Sequence, residues 1–361
     1  MKNRILLLLL VFSIAGKAQD TLSLVFVGDA MLHRKQLDNA RTKTGYDFSG
    51  YFTSVAREIT AADVAIVNLE APLGGAPYTG YPCFSAPDTF AIALKGAGFD
   101  VFLLANNHCL DKRTKGAMRT LAVLDTVGVK YLGVYADSVS RERQYPCLLL
   151  KNGFRIALLN YTYGTNGLKP EKPCIVNYMD KEQVAADIEE AKRMYPDLII
   201  ANMHWGTEYR LSADKEQEAW AAWLFEKGVC IVMGSHPHVV EPMELRQDSL
   251  SGRPRLLVYS LGNFVSNMSA PDTDGSALVK VVLSKDSAGI EITSARYSLL
   301  YTYRESLPHG KTAYRVVPAS AWYDTPGNDT VPALSGLRKY VKATRERLGK
   351  QNTGVEEYRF E

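Results

Sequence analysis

The sequence is poor in cysteine, and its five cysteines form no CxxC pair. A structural zinc site built from thiolates needs closely spaced pairs, so that class of site is excluded. Five cysteines in 361 residues are also too few for a disulfide-held scaffold. The chain shows no internal repeat and no low-complexity tract, so it is interpreted as one large domain, or one domain with an appendage.

Four of the cysteines divide into two pairs by their surroundings. Cys147 and Cys230 lie in apolar, strand-like runs, which predicts small buried side chains. Cys83 and Cys174 lie in loops that contain proline. These two could form a disulfide bond in an oxidising compartment or could both stay free, and a single sequence does not decide between the two.

A strong charge of either sign is missing as well. The chain has 42 basic and 39 acidic residues, a formal net charge of +3. Three basic residues, Lys2, Arg4 and Lys17, lie in the first 18 residues, which contain no acid, so the remainder carries 3 − 3 = 0. The excess positive charge therefore belongs to the first 18 residues and does not indicate nucleic-acid binding, and no nucleic-acid partner is expected.

No apolar run reaches the roughly 20 residues of a membrane-spanning helix. Residues 1–18 instead have the pattern of a signal peptide, with Lys2 and Arg4 before an apolar stretch at 5–12 and small residues before Gln19. We expect cleavage near Gln19 and export of the protein to the periplasm or the extracellular space.

From Thr21 to about Val265 strand-like and helix-like segments alternate, and one of the helices is predicted over 51–62. This alternation predicts an α/β fold in which helices cover a sheet. Beyond it the pattern changes to strand pairs and a polar helix near 337–348. We therefore predict a main domain at 21–266 and, at 267–361, strands and a helix that pack on it.

Five of the six histidines follow strand-like runs directly, in motifs rich in polar residues: His33, His108, His204, His236 and His238. Carboxyl ends of neighbouring strands converge on one crevice in open α/β sheets. The alternative to a shared site is that five histidines, each hydrogen-bonded within the core, lie at strand ends by coincidence. Imidazoles that converge with carboxylates and amides are typical of a catalytic metal centre.

Oxygen donors occupy similar places. Asp29 ends the first strand-like run, where it either projects into the crevice or caps the next helix. Asn68 and Glu70 lie two residues apart after the second run, so their side chains face the same way and either could bind a metal ion. Asn107 precedes His108 and adds an amide oxygen. In HPH, His236 and His238 are expected on one face of an extended chain.

Six motifs in this order, GDAMLHR, NLEAP, NNHCLD, HWGTEY, GSHPHVVEP and YSLGNF, resemble those of the capsule-synthesis CapA (poly-γ-glutamate synthesis) family. The resemblance covers residues 24–265. It implies a fold similar to the calcineurin-like metallophosphoesterases, namely an α/β/β/α sandwich with the metal at the strand ends, here with a small C-terminal β-containing extension.

The resemblance also implies roles for individual residues. Six match positions expected to bind a divalent ion such as zinc, manganese or iron: Asp29, Glu70, Asn107, His204, His236 and His238. His108 matches the position that protonates the leaving group, and with Asp29 it is a catalytic candidate. Five further matches are candidates for substrate binding: Arg34, Asn68, Glu208, Ser260 and Asn263.

The sequence departs from the pattern at two places. Phosphoesterases carry Asp-x-His at the first strand, whereas His33 lies four residues after Asp29, where the capsule family commonly has glycine. His33 is therefore expected to start a helix near the pocket. The bridging aspartate of phosphoesterases is replaced by the Asn68/Glu70 segment. This departure argues against a two-metal centre and favours one metal ion held by Asn107, His204 and His236 with Asp29.

Two classes of function remain. One is a metal-dependent hydrolase of an anionic polymer or γ-glutamyl amide, or a metallophosphoesterase, in which His108 donates a proton to the leaving group. In that case Arg34, Lys112 and Arg113 either pair with substrate carboxylates or are solvated helix-terminal charges. The other class is a non-catalytic component that binds or exports polymer. Membrane proteins of capsule synthesis are the expected partners.

Overall fold

The computed structural model describes residues 20–248, 252, 254–287 and 289–360. The predicted signal peptide and its cleavage site near Gln19 lie outside the described residues. The strands are β1 Asp20–Ala30, β2 Val64–Leu69, β3 Val101–Leu103, β4 Lys130–Leu132, β5 Val134–Tyr135, β6 Cys147–Lys151, β7 Phe154–Thr162, β8 Ile175–Val176, β9 Leu198–His204, β10 Ile231–Ser235, β11 Met243–Gln247, β12 Pro254–Val258, β13 Gly275–Asp286, β14 Gly289–Ser306, β15 Thr312–Pro318 and β16 Glu356–Glu357.

The helices are α1 Arg34–Ala40, α2 Ala56–Thr60, α3 Asp88–Gly96, α4 Arg113–Val127, α5 Ser138–Gln144, α6 Lys181–Arg193, α7 Lys215–Glu226, α8 Ala319–Asp324 and α9 Ser335–Gln351. Within the described part of the chain, no helix is both long and apolar enough to span a bilayer.

Two sheets carry the fold. The first has the order β15-β14-β13-β1-β2-β3-β4, and β16 also pairs with β14. Strands β1 to β4 run parallel, whereas β13 pairs antiparallel with β1, β14 with β13, and β15 with β14. The second sheet has the order β11-β12-β10-β9-β7-β6, with four parallel strands in its middle. Strands β5 and β8 form a separate pair.

Side chains alternate between the two faces of β1. Leu24 and Phe26 belong to a core shared with the second sheet, whereas Val25 and Val27 belong to a core shared with α3. Helices α6 and α7 contribute the buried residues Ile188 and Leu224 against the second sheet. The layers are thus helix, sheet, sheet and helix, and the predicted α/β/β/α sandwich is confirmed.

The C-terminal residues extend the first sheet. β13 pairs with β1 along most of its length, from Asp20↔Lys285 to Phe26↔Val279. The strands after the expected boundary at 266/267 therefore share a hydrogen-bonded ladder with the first strand of the chain. Helix α9 covers 335–351, slightly more than the predicted polar helix.

The helix predicted over 51–62 is wrong in its first half, since the structure forms only α2 there. The carbonyl of Tyr51 accepts a hydrogen bond from Val316 N of β15 at 2.7 Å. It is thus engaged with a strand, and Val55 N instead donates to Phe52 O at 3.1 Å in a tight turn. A tertiary hydrogen bond has taken the acceptor that a helix would have used.

Candidate metal centre

The carboxyl ends of the parallel strands of both sheets meet in one crevice. The first sheet supplies Asp29 from β1, Glu70 after β2 and Asn107 after β3. The second sheet supplies His204 at the end of β9, and the His236–His238 segment follows β10. All six of these side chains are buried. The structure therefore brings together every residue for which a metal-binding role is predicted.

Short distances separate the donor residues of the first sheet from those of the second. Glu70 Oε1 lies 3.8 Å from His204 Nε2 and 3.9 Å from His238 Nε2. His238 Nδ1 lies 3.1 Å from Asp29 Oδ2. Asn107 Oδ1 lies 3.0 Å from His204 Nε2. These contacts place oxygen and nitrogen donors around a common point.

Two buried atoms in this cluster have no hydrogen-bond partner, namely Glu70 Oε1 and His236 Nδ1. An unpaired buried carboxylate oxygen costs free energy unless a cation or a donor compensates it. Ligating atoms of Glu70, His236 and His238 lie within 4.8 Å of one another, as do those of Asp29, Glu70 and His204. The donor set therefore fits a divalent metal ion, and Glu70 belongs to both triads.

The HPH segment is not extended as expected. His236 has φ of +99° and His238 has φ of +62°, both in the left-handed region. Such backbone is costly outside glycine and persists only where its surroundings hold it. His236 N donates to Asp29 Oδ2 at 3.3 Å, and Pro237 O accepts from Tyr209 N at 2.8 Å. Neighbouring loops thus fix the turn that aims both rings into the crevice, with ring centroids 5.8 Å apart.

Burial sets the protonation of the ligands. Desolvation, reinforced by Asp29, raises the pKa of Glu70 well above its usual value. Desolvation lowers the pKa of His204 well below 6.5 and that of His236 to about 3. Both imidazoles are therefore neutral at neutral pH, which is the form that binds a metal ion.

Asn68 lies behind the oxygen donors. Its Nδ2 donates to Asp29 Oδ1 at 2.7 Å and to Glu70 Oε2 at 3.3 Å, so both residues of the NLE segment do face the same way. Its Oδ1 accepts from Asn106 Nδ2 at 3.2 Å. Asn68 is buried, and its contacts orient the carboxylates.

Asn263 lies behind the imidazole of His238, as Asn68 lies behind the carboxylates. His238 Nδ1 donates to Asn263 Oδ1 at 3.0 Å, and Asn263 Nδ2 donates to Thr273 O at 2.9 Å. Since both oxygens beside His238 Nδ1, those of Asn263 and Asp29, are acceptors, that nitrogen carries the proton. His238 Nε2 then has a free lone pair that faces Glu70.

The other substrate-binding candidates occupy different depths. Ser260 is fully buried, and its Oγ accepts from Gly262 N at 3.2 Å. Arg34 is exposed and pairs with Asp38 on α1 at 3.0 Å. Glu208 is exposed in the loop after β9.

His108 forms a pair with a residue whose role was not predicted, Asp111. His108 Nδ1 donates to Asp111 Oδ2 at 2.8 Å, and Phe84 N donates to the same oxygen at 2.7 Å. The Phe84 ring packs edge-on against His108, with centroids 4.7 Å apart. The NNHCLD motif contains Asp111, but a spacing of three residues pairs the two side chains only where the segment forms a turn.

His33 begins α1, as expected. Its backbone N donates to Gln36 Oε1 at 2.7 Å in a capping box. Its ring accepts from Asn267 N at Nδ1 and packs edge-on against Phe84. Burial lowers the pKa of His33 to about 4, so its ring is neutral beside the crevice.

Ser235 and Asn166 also contact the ligands, and neither contact was predicted. Ser235 Oγ lies 2.9 Å from His204 Nδ1, and Asn166 Oδ1 accepts from Asn107 Nδ2 at 3.4 Å. No motif marks Asn166 itself as a contact of the ligands, and it reaches the site through the loop after β7. Cys83 and Cys174 are both free thiols, and Cys83 Sγ donates to Asp111 O at 2.9 Å.

Comparison with known proteins agrees with the motifs. Residues 23–268 match the family described as bacterial capsule synthesis protein PGA_cap. The capsule biosynthesis protein CapA of Bacillus anthracis is 29% identical over 289 residues, covering 76% of this chain and 67% of that protein. The PGA biosynthesis protein CapA of Bacillus subtilis (strain 168) is 30% identical over 316 residues, covering 80% of this chain and 77% of that protein.

Among solved structures, the NAD nucleotidase NadN of Haemophilus influenzae is similar with a TM-score of 0.50 and 14% identity. The match covers 95% of this chain and 65% of that one. A likeness at this identity concerns the fold alone, which is the metallophosphoesterase-like sandwich that the motifs imply. The match over residues 23–268 spans the crevice and every predicted ligand, and the chain therefore belongs to the bacterial capsule synthesis protein PGA_cap family.

Proposed function

We propose that this protein is an exported component of poly-γ-glutamate capsule synthesis and that it hydrolyses a γ-glutamyl amide with a divalent metal ion. The observation that carries the proposal is the buried cluster of three imidazoles, two carboxylates and an amide beside the His108–Asp111 pair. The relatives named for capsule and PGA biosynthesis support an amide in an anionic polymer over a phosphodiester.

Six residues would hold the metal ion: Asp29, Glu70, Asn107, His204, His236 and His238. Mixed nitrogen and oxygen ligands suit zinc, manganese or iron. A bound divalent ion lowers the pKa of a water molecule toward neutrality and polarises a carbonyl oxygen. Asp29 accepts from the His236 backbone and the His238 ring, so it also fixes the imidazole ligands.

His108 would donate the proton that the leaving nitrogen needs. Because Nδ1 donates to Asp111, Nε2 is the ring atom left for the substrate. In the hydrolysis, the oxygen of water bonds to the carbonyl carbon, the C–N bond breaks, and the nitrogen takes the proton from His108. A proton from the attacking water restores the imidazolium for the next cycle.

Arg34 is the proposed contact for a substrate carboxylate at the edge of the crevice. Its present partner, Asp38, is exposed, and an exposed ion pair contributes little free energy. A substrate carboxylate could therefore replace it at little cost. Three buried residues would influence substrate binding indirectly, because they orient the metal ligands and the loops of the crevice: Asn68, Ser260 and Asn263.

Export would place the protein in the periplasm or outside the cell, next to the membrane proteins of capsule synthesis as partners. The pattern of residues 1–18 supports this part of the proposal. Intact-mass measurement of protein from the outer compartment tests it. We expect a chain that begins near Gln19, and a mass that still includes residues 1–18 would contradict export by cleavage.

The activity is tested by metal analysis of the purified protein together with assays on γ-glutamyl peptides and a generic phosphodiester. We expect turnover of the peptides that a chelator abolishes and added metal restores. Turnover of the phosphodiester alone would replace the proposal with a metallophosphoesterase.

A second candidate is a protein that binds polymer without cleaving it. The observation in its favour is the exposure of Tyr81 and Tyr163, 72% and 47%, in the aromatic-rich segments APYTGYPCF and YTYGTNGLKPEKP. Exposed aromatic side chains are common in binding surfaces. Tight binding of γ-glutamyl oligomers by the metal-loaded protein, with no cleavage product on mass spectrometry, would favour this candidate.

A further inference from the structure

The mouth of the crevice has two half-exposed tyrosines, Tyr163 and Tyr209. The Tyr163 ring lies 4.6 Å from the His236 ring, and the Tyr209 ring lies 6.2 Å from that of His238, measured between centroids. Each phenol ring thus covers one imidazole of the metal centre and still faces solvent.

The loop that carries Tyr209 is fixed to the histidine segment. Tyr209 N donates to Pro237 O at 2.8 Å, and Trp205 N donates to Ser235 O at 3.1 Å. Tyr209 has φ of +65°, which a bulky residue adopts only where its surroundings impose it. The position of Glu208, between these anchors, is therefore set by the same backbone that presents His236.

Glu208 is an exposed carboxylate without a basic partner. Among the residues that the structure describes, no lysine or arginine forms an ion pair with it within 4.0 Å. Burial and the negative charge of the neighbouring Glu208 raise the pKa of Tyr209 to about 12. Burial is the main cause of the raised pKa values of Glu70 and Tyr163, and the negative charge of Glu208 adds to both.

An exposed carboxylate next to Tyr209, at a mouth that also presents the Tyr163 ring, is suited to a protonated amine. The carboxylate supplies the opposite charge and a hydrogen-bond acceptor, and the ring faces attract a cation within about 6 Å. A carboxylate-rich ligand would instead be repelled by Glu208 at this point.

We propose that Glu208, Tyr163 and Tyr209 form a subsite for the α-ammonium group of the substrate, which makes the protein act at the amino-terminal residue of a γ-glutamyl chain. This inference rests on the proposed function. In such a chain every residue carries an α-carboxylate, and only the first carries a free α-amine. Water then adds to the γ-carbonyl of that first residue, the C–N bond breaks, and the next residue leaves with a protonated amine.

Binding tests the subsite independently of turnover. Calorimetry of the full, metal-loaded protein would compare γ-linked triglutamate with its N-acetyl derivative, which has no cationic amine. We expect the free amine to bind about 10- to 100-fold more tightly, the range for a hydrogen bond to a charged group. In Glu208→Gln this difference should vanish. The control is Glu216→Gln in the exposed first turn of α7, which should keep it.

Three results would overturn the subsite: equal binding of both peptides to the unchanged protein, an amine preference that survives Glu208→Gln, or loss of metal from Glu208→Gln in elemental analysis. The last would make Glu208 a ligand. If the amine preference is present and depends on Glu208 but neither peptide is cleaved, the subsite is supported and the hydrolase proposal fails instead.

The order in which cleavage products appear tests whether the protein acts at the amino terminus of the substrate chain. Mass spectrometry of a γ-linked hexaglutamate digest should detect free glutamate and the pentamer first. Dimers and tetramers as first products would contradict a terminal subsite while supporting hydrolysis. Tyr163→Phe should keep the product order, because it keeps the ring face, whereas Tyr163→Ala should weaken binding of the free amine.

Discussion

The two walls of the centre differ in chemistry. The wall from the first sheet gives only oxygen donors, Asp29, Glu70 and Asn107, whereas the wall from the second sheet gives only imidazoles. Burial acts on the walls in opposite directions, since it raises the pKa of Glu70 and lowers that of His204. Burial therefore favours the neutral forms of Glu70 and His204, and a divalent cation between the walls favours an ionised carboxylate together with a neutral imidazole.

The comparison also bears on stability. Neither sheet contains a complete ligand set, so the site exists only when the two sheets pack against each other. Binding of the metal ion should therefore stabilise the packed state by mass action. The predictions that follow remove parts of one wall, then the group beside it, and then the residues behind both.

The largest effect should come from removal of an imidazole ligand. His204→Ala and His238→Ala should each lose most of their metal while they stay folded, because a buried centre with a missing ligand binds its ion weakly. Elemental analysis measures the metal content, and circular dichroism shows whether the variants are folded. His309→Ala is the control, since no predicted ligand comes from its turn between β14 and β15. Full metal content in both variants would refute the assignment.

Removal of the proton donor should leave both walls intact. His108→Ala should keep its metal and its substrate affinity but lose about 10²- to 10⁴-fold in rate, the range for positioned acid–base catalysis. The loss should shrink for an activated aryl ester, whose leaving group needs no proton. An equal loss on both substrates would contradict the acid role, and no loss on either would favour the polymer-binding candidate.

Loss of a residue behind one wall should have a smaller effect. Asn263→Ala removes one of the two acceptors beside His238 Nδ1, and Asn68→Ala removes the donor shared by the two carboxylates. Each should weaken metal affinity by about 10- to 100-fold. Competition with a chelator measures it. Asn39→Ala, which loses hydrogen bonds to Lys35 and Thr312 elsewhere, should keep its affinity.

The smallest effect on the centre is expected from Glu241, a buried carboxyl three residues after His238. Burial raises its pKa from 4.5 to about 8, although Gln217 Nε2 donates to Oε2 at 2.7 Å and Arg210 and Arg347 oppose the shift. The unfolded chain releases this proton near pH 4.5 and the folded one near pH 8. Stability should thus fall as pH rises between these values, by at most about 1.4 kcal/mol per pH unit.

Glu241→Gln should remove that dependence and leave metal content unchanged. Chemical denaturation at several pH values measures the free energy of unfolding of the unchanged protein and of the variant, and the difference between the two isolates the contribution of Glu241. A difference that stays constant from pH 5 to pH 8 would contradict the raised pKa.

Much of the centre could be predicted because its chemistry is local in sequence. Asp29, Glu70, Asn107 and His204 each follow or end a parallel strand, and strand ends converge whatever the loops do. Residue type then identifies them as donors. The role of Asp111 was missed because it depends on the turn after His108, whose geometry a spacing of three residues does not fix.

The sequence by itself determined the alternation of strands and helices, the set of donor residues and the family, since these follow from periodicity, residue chemistry and ordered motifs. Only the tertiary structure decided how the donors are arranged. The left-handed turn at His236 and His238 is imposed by contacts with Asp29 and the Tyr209 loop, which come from distant parts of the chain. The pKa shifts are likewise tertiary, because desolvation depends on the packing of both sheets around the crevice.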